Sequence, residues 1–144
     1  MRLTDFVKKD QNLTNFIAKT SQVKNSLITG ANAGAFSLLL KQIVTEKKVS
    51  LLVIEENENK AQNIFNELSG IMDDGQVQYF PVDSTLATQT ALASPDELSS
   101  RIQTLNFLLG QKSGVVITTP QGLQYKLSAV KDFAAFKREF VQDK

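Results

Sequence analysis

Apolar residues recur along this chain with two different periods, and the switching between them predicts its elements. In the first twenty residues Leu3, Phe6, Val7, Asp10, Leu13, Phe16 and Ile17 follow three- and four-residue steps, with Asp10 the only polar member. That spacing predicts one bent helix or two short ones, the second capped by Asp10 or Asn12. Ser26-Leu27-Ile28-Thr29-Gly30 reads as a short buried strand ending at a glycine. Residues 33–47 turn helical, with Phe36, Leu39, Leu40, Ile43 and Val44 on one face. Residues 49–54 form a nearly continuous apolar run with β-branched members, which predicts a strand buried on both sides, as in a parallel sheet. A helix over 58–72 follows, turning Ala61, Ile64, Phe65, Leu68 and Met72 inward and ended by Asp73-Asp74-Gly75.

Residues 76–80 read as a third strand closed by Pro81, and 82–93 as a looser stretch. Ser94-Pro95-Asp96-Glu97 has the form of a helix start: a capping serine, proline in the first turn, acids at the positive end of the dipole, and a glutamate three residues after the cap. This helix is expected to reach Leu109, with Leu98, Ile102, Leu105, Leu108 and Leu109 inward. Residues 114–119 read as a fourth strand, and Pro120 opens a short helix through Tyr125. Residues 131–144 are charged and carry Phe133, Phe136 and Phe140 at helical spacing. Strands alternating with helices of about a dozen residues predict βαβ units, a parallel sheet and right-handed crossovers.

The composition narrows the chemistry. At 144 residues the chain suits one core rather than two. It has no cysteine and no histidine, which excludes disulfides, thiolate metal sites and both serine–histidine and cysteine–histidine catalysis. No apolar run approaches the roughly 20 residues of a bilayer span, and the N-terminus lacks the layout of a secretory signal, so a cytoplasmic protein without membrane partners is expected. Sixteen basic residues nearly balance fifteen acidic ones, which argues against autonomous nucleic-acid binding.

The segment Gly30-Ala31-Asn32-Ala33-Gly34-Ala35-Phe36-Ser37 follows one predicted strand and opens a helix, the place of a phosphate-binding loop reading G-x-x-x-x-G-K-[ST]. Gly30 matches the first glycine and Ser37 the hydroxyl, but Ala35 stands at the second glycine position and Phe36 at that of the lysine that meets the β- and γ-phosphates. Two readings stay open: a degraded nucleotide loop kept for its shape, and a small-residue turn that never bound anything. Both predict no ATP hydrolysis, and a residual anion site at the helix N-terminus stays open physically. Glu55 and Glu56 end the second strand, where α/β folds place ligand-binding acids, though a solvated strand end has the same appearance. Asp73-Asp74 reads as a turn. Arg101 reads as a clamp on the 82–93 stretch or on a partner acid, with a plain surface arginine as the alternative. Lys41, Lys47 and Lys48 are the residues a DNA-binding reading would use, and they equally suit a solvated helix end.

The order of landmarks resembles a known family. Leu27-Ile28-Thr29-Gly30 with its lysine-free loop, Leu51-Leu52-Val53-Ile54, Phe80-Pro81, Thr85-Leu86, Ser94-Pro95-Asp96 followed by Arg101 and Leu105, then Gly114-Val115-Val116-Ile117 with Pro120 and Leu123 are similar to the N-terminal region of bacterial transcription-repair coupling factors, the Mfd family. The likeness covers roughly residues 13–133. It departs from the family at Ser84, Ala87 and Thr88, where the family has an acid before the Thr-Leu pair and Pro-Tyr after it.

The resemblance implies a UvrB-like α/β domain, a degenerate P-loop half-domain of the RecA-like helicase type with flanking helices. It implies an N-terminal helical segment over 1–24, the α/β domain over 25–130, and the start of a linker to the next domain over 131–144. Phe133, Phe136 and Phe140 would then mark the start of the next segment and make interdomain contacts; without that cover the stripe is expected to fold back on the body or pair with another copy, since exposed apolar patches invite association. It implies no catalysis and no cofactor here, with Gly30, Gly34, Ala35, Phe36 and Ser37 not binding ATP. ATP and magnesium are expected only in motor domains outside this sequence, where the whole factor translocates on DNA. The expected role is a scaffold beside neighbouring domains of a protein that engages RNA polymerase, UvrA and double-stranded DNA. A stand-alone α/β protein binding a nucleotide or other small ligand is the alternative.

Overall fold

The computed structural model describes residues 11–19, 22–82, 94–110, 112–124, 127 and 129–136. In chain order these form α1 (Gln11–Lys19), α2 (Ala33–Lys47), β1 (Ser50–Ile54), α3 (Glu58–Ser69), β2 (Val77–Tyr79), α4 (Pro95–Leu109), β3 (Gly114–Thr118), a 3₁₀ turn (Gly122–Gln124) and α5 (Val130–Phe136). The protein is α/β, with a small open sheet of three parallel strands in the order β1-β3-β2 and helices around it. Leu51 lies beside Val115 and Val53 beside Ile117 on one side of β3, while Val77 and Tyr79 meet the same two residues on the other.

The last described strand in sequence therefore lies in the middle, and all five of its residues are buried. The predicted apolar face of α2 brings Leu40 and Val44 onto the sheet, and α3 adds Ala61, Ile64 and Leu68. These pack with Val53, Met72, Val77, Val115 and Ile117, and Phe36 and Phe65 close the margin. Each large apolar side chain fully buried here contributes roughly 1.5–3 kcal/mol. The opposite face is thinner: Phe80, Phe107 and Val116 form a second cluster, with Leu105 against it.

Five expectations are corrected. Residues 26–30 are not a strand, and they are not buried: Leu27 is 88% exposed. The pattern was apolar enough, but no described strand pairs with this segment. β1 is not buried on both sides, because Leu51 and Val53 face the core while Leu52 and Ile54 remain 55% and 51% exposed. Among the described residues, α4 packs chiefly against β2, at the far edge of the sheet from that flank of β1.

The inward face of α4 also differs from the leucine face. Thr104 and Phe107 are its buried residues, whereas Leu98, Ile102 and Leu108 are exposed. Thr104 is held by its hydroxyl, 2.9 Å from Ser100 O and 3.2 Å from Tyr79 O. Finally, Ser94 occupies the N-cap position of α4 with Pro95 in the first turn, but its side chain makes no capping hydrogen bond. The helix of 58–72 stops at Ser69, and Met72 reaches the core from the turn beyond it.

Gly114 is dictated by contact. A Cβ there would collide with the carbonyl of Gln76 and lie 2.7 Å from Cζ of Phe107. Gly114→Ala is expected to destabilise the fold by roughly 2–4 kcal/mol, read as a fall in the urea midpoint. Tyr79 packs on Phe65 with ring centroids 5.9 Å apart, and burial, with smaller contributions from Glu58 and Glu97, raises its phenol pKa. A raised folded pKa means the folded state holds the proton more tightly. The associated stability is complete below the unfolded pKa and is lost as pH climbs through the folded one. Stability should therefore decline above about pH 10, and Tyr79→Phe should flatten part of that decline in denaturation measured across the range.

Candidate functional site

Gly30 turns the chain with φ +80°, a conformation that favours glycine, and Asn32 then caps α2. The Ala35 N–H donates to Asn32 Oδ1 at 2.8 Å, and the Phe36 N–H donates to the Asn32 carbonyl at 2.9 Å. Two amides that would face a bound phosphate are thus already engaged within the loop. Gly34 is exposed, and a Cβ there would meet nothing closer than Asn32 Oδ1 at 3.9 Å, so its glycine is not sterically required. Phe36 packs against the main core cluster. Ser37, the matched hydroxyl, is 2% exposed and donates to Glu67 Oε2 of α3 at 2.8 Å. Every side chain of the loop that carries chemistry is turned to the protein itself.

The carboxyl ends of the strands form the second candidate region. The Glu55 N–H donates to Thr118 O, extending the β1–β3 ladder by one bond. Glu56 accepts from Asn57 Nδ2 at 3.1 Å and pairs with Lys60 at 2.7 Å, one turn into α3. That hydrogen bond and charge raise the Lys60 pKa. Both partners are well exposed, so the pair contributes little to stability. Glu56, Asn57, Glu58, Asn59, Val82 and Gln121 line a shallow cavity of about 420 Å³. Across β3, Thr118 Oγ1 donates to Phe80 O at 2.8 Å.

Arg101 lies where a clamp would. Its Nη1 donates to Pro81 O at 3.2 Å, and its guanidinium carbon stands 4.4 Å from the centroid of the Phe80 ring. It thereby holds the point where the 82–93 stretch begins; residues 83–93 lie outside those described. Phe133 is half-buried in α5, Phe136 ends that helix with its side chain outside the described set, and Phe140 lies outside it altogether. Of the lysines, Lys41 donates to Ile71 O, Lys47 sits in the last turn of α2, and Lys48 is its left-handed cap with φ 52°. No helix among the described residues is long and apolar enough to cross a membrane. The residue that sequence reasoning missed is Glu67, thirty positions from Ser37 and visible as its acceptor only once α3 packs beside α2.

Comparison with known proteins then bears on the whole chain. It is 22% identical over 127 residues to the transcription-repair-coupling factor of Bacillus subtilis, and 26% identical over 129 residues to that of Staphylococcus aureus. Those stretches cover 88% and 90% of this chain. The chain is homologous to the transcription-repair-coupling factors. It spans about 11% of the length of the coupling factors it matches. No family model matches, and no solved structure matches. Of the landmarks that carried the resemblance, Leu51–Ile54 lie in β1, Pro95 to Leu105 in α4 and Gly114–Ile117 in β3, while Thr85 and Leu86 lie outside the described residues.

The Ser37–Glu67 bond gives an asymmetric prediction. Glu67→Ala should cost about 1–3 kcal/mol by leaving a buried hydroxyl without its acceptor. Ser37→Ala should cost only about 0.5–1.5 kcal/mol, since exposed Glu67 regains water. A double-mutant cycle in urea should show clear non-additivity between them.

Proposed function

We propose that this chain is a non-catalytic scaffold region of a transcription-repair coupling factor, a UvrB-like, degenerate P-loop half-domain from the N-terminal part of the whole protein. The observation that carries this reading is the inward commitment of the loop: Phe36 packs in the core where a phosphate-binding loop has lysine, and Ser37 is spent on Glu67. A phosphate loop needs a free hydroxyl for magnesium and a cation for the terminal phosphates. Homology over most of the chain supports the coupling-factor assignment.

On this reading the domain fixes the geometry of neighbouring domains, and the whole factor engages RNA polymerase, UvrA and double-stranded DNA in the cytoplasm. ATP and magnesium act in motor domains elsewhere in that protein. Arg101 serves structure here, tying α4 to the end of β2 through Phe80 and Pro81. The extent of the units is read as a helical segment over 1–24, the α/β domain over 25–130, and a connection over 131–144. A second reading, a binder of a small ligand at the carboxyl ends of the strands, draws on the cavity beside Glu56 and Gln121.

Titrating the purified chain with labelled ATP and magnesium tests the proposal. No saturable binding is expected up to roughly millimolar nucleotide, whereas micromolar magnesium-dependent binding would overturn it. Phe36→Lys is expected to lower stability by roughly 1–3 kcal/mol without creating ATP affinity, because Asn32 and Ser37 stay engaged. Calorimetric titration of that variant checks both halves.

A further inference from the structure

We draw no further inference here: the strongest candidate, the apolar groove between the flank of β1, α4 and the 3₁₀ turn, lined by Leu52, Leu105, Leu108, Leu123 and Leu127, lies open only among the described residues of a chain that spans about 11% of the length of its relatives, and nothing in the structure shows what covers it.

Discussion

β3 is held by a ladder on each side, and the rest of the fold is arranged around that fact. A strand whose backbone groups are all satisfied by neighbours can be sealed from water, and β3 is buried from Gly114 to Thr118. Its position demands a close approach at its start, where Gly114 leaves no room for a side chain between Gln76 and Phe107. At its far end Thr118 and Thr119 use their hydroxyls to hold Phe80 O and the Gly122 N–H, fixing the turn that follows. The loops at the carboxyl edge thus inherit their geometry from one central strand.

The two faces of the sheet are unequal, and that inequality accounts for much of the surface. α2 and α3 cover one face with a continuous cluster of aliphatic side chains. Among the described residues α4 packs on the other chiefly beside β2, and β1 shows apolar residues on a flank and an edge that no described strand pairs with. Parallel sheets normally have both faces covered. Among the described residues, the edge and open flank of β1 are therefore where that covering is thinnest. At the Gly30 loop, by contrast, the Asn32 side chain caps its own helix and Ser37 donates to Glu67.

Much of this was legible in the sequence. The aliphatic positions Leu39, Leu40 and Val44 in α2, and Ala61, Ile64 and Leu68 in α3, are buried as their spacing predicted, because each helix has one neighbouring surface to cover. Val115, Val116 and Ile117 read as a buried strand and are one. The misreadings share a cause. Residues 26–30 and the leucine face of α4 carry apolar residues without a described surface to bury them, and local pattern reports only the capacity for burial. Ser94 has the sequence of a cap, but its side chain is not used as one.

Sequence alone determined the periodicities, the absence of histidine and cysteine, and the phenylalanine at position 36 of the Gly30 loop, because these are properties of residue identity and local spacing. It also carried the relation to the coupling factors, since likeness over about nine-tenths of the chain is read from residue order alone. Tertiary structure decided that the last described strand lies at the centre of the sheet, that Ser37 meets Glu67, and that no described strand pairs with the outer edge of β1. Those are long-range facts: strand order and the partners of buried polar groups depend on which surfaces meet, and no local run of residues encodes that meeting.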